Sequence, residues 1–294
     1  MESDLKPRST LRNLLVSSRP VSWVNTAYPF AAAYLLTAGA VDLPLIIGTL
    51  FFLIPYNLAM YGINDVFDYE SDVLNPRKGG AEGAVLDRSL HRTTLLAAVL
   101  VPLPFVAYLL AAGTWLSAAV LALSLFAVVA YSAPGLRFKE RPFVDSMTSS
   151  FHFVSPALFG LVLAGADFTG ALWAVLGAFF LWGMASQAFG AVQDITADRQ
   201  GGVGSVATVL GAAATVKYAL AAYALAGVLM LFSGWPGALG ALLALPYLAN
   251  IWPFRSVPDA RAEASNAGWK RFLWLNYVTG FLVTMLLLWY AAAR

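Results

Sequence analysis

Residues 64–72 read NDVFDYESD, which places Asp65, Asp68, Glu70 and Asp72 directly after the apolar run ending YNLAMYGI. Carboxylates at the edge of such a run are costly unless they meet a cation. If the run continues as a helix at 100° per residue, Asn64, Asp65, Asp68 and Asp72 share an arc of about 100° and Glu70 points the opposite way. Like charges at this spacing repel, and a divalent cation removes the conflict. The chain has no cysteine and two histidines, His91 and His152, so a thiolate or histidine-rich centre is excluded. Oxygen donors alone suit Mg²⁺, which takes one or two carboxylates, waters and substrate phosphate oxygens.

A second acidic pair stands in QDITADRQGG, with Asp194 and Asp198 at i, i+4. Basic groups follow both clusters: Arg77 and Lys78 after the first, Arg199 after the second. Between them, YSAPGLRFKERPF offers Tyr131, Arg137 and Lys139, and Asn25 in SWVNTAYP adds a further polar candidate. Lys and Arg clamp diphosphate oxygens and stabilise a departing anion, so these groups are expected to bind diphosphate. Arg137 and Lys139 also read as topology determinants, and Tyr131 as an interfacial anchor. His152, in SSFHF, reads foremost as a structural hydrogen-bonding group.

These clusters need a scaffold, and composition says which. The 294 residues are 60% hydrophobic and 12% charged, against about 25% charged in a soluble domain. Mean hydropathy is +0.71. A helix crossing a bilayer needs about 20 apolar residues, and nine stretches qualify: 20–38, 43–66, 92–112, 114–132, 145–164, 170–193, 211–233, 236–254 and 271–291. Short Gly-rich breaks alternate with longer polar ones at 67–91, 133–144, 194–210 and 255–270. Of the 18 Lys and Arg, 17 fall on the side of the longer breaks and only Arg294 on the other. The positive-inside rule makes that side cytoplasmic, with N-in and C-out. The expected fold class is an all-α membrane protein, a bundle of nine helices around a lipid-accessible pocket. Both acidic clusters end even-numbered spans on the cytoplasmic side, where they are expected to face each other. The first twenty residues are polar and basic, so no cleavable signal is expected and 1–19 reads as a cytoplasmic segment.

NDVFDYESD resembles the N-D-x-x-D-x-x-x-D motif of the UbiA superfamily of intramembrane prenyltransferases. QDITADRQGG resembles that family's second D-x-x-x-D motif, and YSAPGLRFK its Tyr-Ser-x-Pro…Lys loop. The resemblance covers essentially the whole chain and implies one UbiA-like domain over 1–294 in the cell membrane. It implies two Mg²⁺ sites, with Asn64, Asp65, Asp68, Asp72, Asp194 and Asp198 as ligands, and ionisation of an isoprenyl diphosphate. It further implies Asp68, Asp72, Asp194 and Asp198 as catalytic residues. Many members carry a carboxylate three positions before the second motif, where this chain has Ala191, and NPRKGG replaces the Pro-x-Arg-Pro run of quinone-pathway members.

SPALFG and AFGAVQDITADRQGGVGSVATVLG resemble the lycopene elongase branch. That likeness implies transfer of dimethylallyl groups from dimethylallyl diphosphate to lycopene, giving C45 and C50 carotenoids, with membrane lipid around the site. The alternative acceptors are a quinone, a tetrapyrrole or an ether lipid. No nucleic-acid partner is expected. A transporter is the competing class, but its site is expected near the bilayer midplane rather than at span ends.

Overall fold

The computed structural model describes residues 10–74 and 86–293, without the side chains of Ser71, Asp72 and Leu74. All regular structure among them is helical, with no strand. Among the described residues, eight helical stretches are long and apolar enough to cross a membrane: 43–67, 88–112, 115–132, 144–163, 170–192, 212–230, 237–254 and 259–292. The expected first span, 20–38, is a 3-10 turn at Pro20–Ser22 followed by the 15-residue helix Val24–Ala38, short of that measure. The segment 255–270, expected to be a polar loop, instead contains the 3-10 stretch Asp259–Ser265 and the start of the helix Asn266–Ala292.

The chain divides into two compact units. The first comprises residues 1–137 and 155–166. Its core is aromatic: Phe30, Phe51, Phe52, Tyr56 and Phe159 are fully buried. The rings pack closely, Phe51 and Phe52 at 4.8 Å between centroids and Phe30 and Phe52 at 5.2 Å. Gly160 lets its helix approach another: a Cβ there would lie 2.8 Å from the Phe30 carbonyl oxygen. Pro55 splits the stretch 43–67 into helices Leu43–Leu53 and Pro55–Phe67. A proline lacks the N–H that continues a helix, so neighbouring carbonyls need other donors. Asn57 supplies them: its Nδ2 donates to the Phe52 carbonyl at 2.8 Å and the Leu53 carbonyl at 3.1 Å. The Thr26 hydroxyl also donates to the Phe52 carbonyl, at 2.6 Å.

The second unit comprises residues 138–154 and 167–294. Its centre is the pair of helices Gly170–Val192 and Ala212–Met230. Ala178, Ala185 and Ala188 are buried on one, and Ala212, Ala219, Ala222 and Ala226 on the other. Small side chains let backbones approach, which is how helices gain packing energy where lipid is as apolar as the protein. The helix Asn266–Ala292 buries only Gly268 and Phe272. It exposes Leu273, Trp274, Tyr277, Val278, Phe281 and Leu288. An apolar surface of this extent belongs in lipid, and the protein is an integral membrane protein.

Candidate active site

The two acidic motifs share one backbone design. The helix Pro55–Phe67 ends at Asp68 (φ −99°, ψ −1°), and the six-residue helix Tyr69–Leu74 follows. The helix Gly170–Val192 ends, and Asp194 (φ −99°, ψ −5°) precedes the six-residue helix Ile195–Gln200. Each break puts one aspartate in the sparsely populated region near ψ 0° and carries the next aspartate four positions on. This corrects the expectation of a continuous helical stripe over 64–72: one helix ends and another begins at Asp68. The Asp68 amide donates to the Asn64 carbonyl at 2.9 Å, and the Asp198 amide to the Asp194 carbonyl at 2.8 Å.

The first motif divides its side chains among different partners. Asp65 is 1% exposed. It accepts from the Ser17 hydroxyl at 3.0 Å and from Arg19 Nη2 at 2.9 Å. The Arg19 guanidinium lies over the Tyr61 ring, 4.4 Å from its centroid, and Arg19 itself takes a left-handed backbone (φ 50°). Asn64 Oδ1 accepts from the Ser132 hydroxyl at 2.9 Å. Asp68 Oδ1 lies 3.8 Å from Arg137 Nη2. The turn after Tyr131 makes that reach: Gly135 and Arg137 have φ of 85° and 40°, and the Arg137 amide donates to the Ala133 carbonyl at 3.0 Å. Glu70 is turned away, as expected, and pairs at the surface with Arg88. Arg88 stands over the Tyr69 ring at 4.9 Å. Beside it, the Ser89 hydroxyl and amide both donate to Asp87 and hold its carboxyl below the ordinary range. Asp72's side chain, Arg77 and Lys78 lie outside the described residues. Asn25 is exposed at the start of Val24–Ala38, while Tyr131 and Lys139 are half-buried.

In the second motif, Asp194 and Asp198 are half-buried. Gln193 is held at both ends of its amide: Nε2 donates to the Gly190 carbonyl at 3.0 Å, and Oε1 accepts from Asn266 Nδ2 at 2.5 Å. Ala191 stands three positions before Asp194, as Asp65 stands before Asp68, and packs against the apolar cluster of Phe189 and Val192. The absent carboxylate is therefore the counterpart of one that serves Arg19 and Ser17 in the first motif. Arg199 donates from Nη1 to Asp259 at 2.6 Å and from Nε and Nη2 to the Thr208 carbonyl at 3.1 and 2.8 Å. The loop that follows is fixed against 138–146. Asp145, 1% exposed, accepts the Val206 amide at 2.9 Å. A Cβ on Gly204 would meet the Glu140 carbonyl oxygen at 2.5 Å.

Sequence reasoning missed Ser17, Ser132, Asp145 and Asp259, and treated Arg19 only as a topology determinant. Ser132 stood in the quoted YSAPG stretch, next to Tyr131; the other four carry no local signal. Among the described residues, no three His, Asp or Glu side chains form a group able to hold a metal. The donors nevertheless fit Mg²⁺. Each motif carries two aspartates at i, i+4 across the same break, and magnesium completes its shell with waters and phosphate oxygens.

A profile of the UbiA prenyltransferase family matches residues 26–277. The chain is 60% identical over 280 residues to the C(50) beta-cyclic carotenoids biosynthesis protein LbtBC of Dietzia sp., covering 95% of this chain and 65% of that protein. It is 54% identical over 278 residues to the lycopene elongase/hydratase of Corynebacterium glutamicum, covering 95% and 97%. The fold is similar to a UbiA homolog from Archaeoglobus fulgidus bound to DMAPP and Mg²⁺, with a TM-score of 0.67 at 18% identity, over 91% of this chain and 98% of that one. It is also similar to a digeranylgeranylglyceryl phosphate synthase, with a TM-score of 0.67 at 14% identity, over 96% and 98%.

Proposed function

The chain belongs to the UbiA prenyltransferase family, and from that premise we propose that it transfers dimethylallyl groups from dimethylallyl diphosphate to lycopene, giving C45 and C50 carotenoids. The observation that carries the transfer chemistry is the repeated break at Asp68 and Asp194, each followed by an aspartate four positions on. The acceptor rests on the likeness to the Dietzia and Corynebacterium proteins.

Asn64, Asp68 and Asp72 hold Mg²⁺ at the first motif, and Asp194 and Asp198 at the second. When bound, the metal neutralises diphosphate charge and eases its departure. Ser132 fixes the Asn64 amide so that its oxygen keeps one orientation. Arg137 stands beside Asp68 and, with Tyr131, Lys139, Arg77 and Lys78, supplies donors to the diphosphate. Asp65 does a different job: its ion pair with Arg19 holds the N-terminal segment on the helix Pro55–Phe67. Asn25 remains a candidate diphosphate contact. Exclusion of bulk water from the site would protect the allylic cation from quenching. The whole chain, 1–294, acts as one prenyltransferase domain in the cell membrane, with nine spans, N-in and C-out, and its active site on the cytoplasmic side.

Expression in a lycopene-accumulating host tests the reading. C45 and C50 carotenoids are the expected products. Unchanged lycopene with a newly prenylated quinone, tetrapyrrole or ether lipid would transfer the assignment to that acceptor.

A further inference from the structure

Arg199 follows Asp198 directly and by sequence reads as a diphosphate clamp, yet its guanidinium is occupied. Three of its five N–H donors have partners, one in Asp259 and two in the Thr208 carbonyl. Thr208 lies in the five-residue helix Val206–Leu210, whose last carbonyls lack helical partners. A cation is favourable at that end. Asp259 in turn accepts from the Ala212 amide at 2.7 Å, at the start of the helix Ala212–Met230, where an anion is favourable. Gly211 makes room for it: its φ is 78°, and a Cβ there would lie 3.0 Å from Asp259 Oδ1.

We propose that Arg199 and Asp259 are a positioning pair that orients the helix Ile195–Gln200, and with it Asp198, toward magnesium. The proposal rests on the reading of Asp198 as a metal ligand. A six-residue helix has little stability of its own, so its direction is set by what holds it. Arg199 and Asp198 are adjacent and about 100° apart around the helix; anchoring one aims the other. An isolated exposed ion pair contributes little. This one ties the helix Ile195–Gln200 and the 3-10 stretch Asp259–Ser265 to the end of Val206–Leu210 and the start of Ala212–Met230, so its loss releases the element that carries Asp198.

The test uses the detergent-solubilised full chain and follows thermal melting while Mg²⁺ is titrated in the presence of inorganic diphosphate, since binding to the folded state raises the melting temperature. Asp259→Asn removes the charge and keeps an oxygen for the Ala212 amide. Arg199→Gln and Asp259→Asn are each expected to raise the half-effective Mg²⁺ concentration about fivefold, the factor that ~1 kcal/mol produces. The double variant is expected to go no further than the worse single one. With Mg²⁺ saturating, the half-effective diphosphate concentration should stay at the wild-type value. The proposal is overturned if Asp259→Asn leaves the Mg²⁺ response unchanged, if the two effects multiply, or if Arg199→Gln weakens diphosphate at saturating Mg²⁺. Where Arg199→Gln does not fold, Asp259→Asn alone carries the Mg²⁺ and diphosphate readings. Asp198→Asn separates the premise: an unchanged Mg²⁺ response in that variant removes Asp198 as a ligand, whatever the pair does.

Discussion

Asp65 and Asp68 stand three positions apart in one motif and have different surroundings. Asp65 is closed in by Ser17 and Arg19, while Asp68 has Arg137 at 3.8 Å. Removing one partner of a buried ion pair costs about 3–5 kcal/mol because the other charge is left unpaired. Asp65→Ala is therefore expected to destabilise the fold by an amount of that order, read as a clearly lowered melting temperature. Asp68→Ala and Asp194→Ala are expected to abolish turnover with near-wild-type melting. An Asp65→Ala protein that melts normally but loses its response to Mg²⁺ would return Asp65 to the ligand set. Nothing in NDVFDYESD separates these two carboxylates. The residue types were legible there, and Glu70 was rightly turned away, but Arg19 lies 46 positions from Asp65 and no periodicity reports such a contact.

The breaks in the helices carry as much of the design as the helices. Pro55 breaks its helix by its own chemistry, since a proline removes a backbone donor wherever it stands. The donors that replace it were not legible: Asn57 and Thr26 look like ordinary polar residues in apolar runs. Asn57→Leu takes the side-chain donor from the Leu53 carbonyl and leaves the Phe52 carbonyl to Thr26. A buried acceptor stripped of its donor costs about 1–3 kcal/mol. The substitution should lower the melting temperature measurably, and a neutral outcome would show other donors at that break. The break at Asp68 escaped notice because a single residue near ψ 0° leaves the hydrophobic pattern intact. Ala191 is the matching position to Asp65, without an Arg19 of its own. Restoring a carboxylate by Ala191→Asp is expected to destabilise the protein through an unpaired charge against apolar neighbours and to leave turnover no higher. Increased turnover would mean that the position reaches the metal.

The spans were the most legible feature, because a bilayer demands long apolar helices and little else. The reading went astray at the ends. Apolar composition counted 20–38 as one element, where the structure has a 3-10 turn and a shorter helix, and the polar residues of 255–270 hid the start of Asn266–Ala292. The proposed topology is open to direct mapping, since the chain has no cysteine of its own. Single cysteines replacing Glu70 or Arg255 should resist a membrane-impermeant maleimide in intact cells, and those replacing Asp167 or Trp235 should react. The reverse pattern would invert the orientation. The central claim is isoprenyl transfer to lycopene, and the purified chain tests it with labelled dimethylallyl diphosphate, lycopene and Mg²⁺. Label is expected in C45 and C50 carotenoids, and is expected to be lost on chelation of the metal and in Asp194→Ala. Lycopene left unlabelled, or transfer indifferent to chelation, would contradict it.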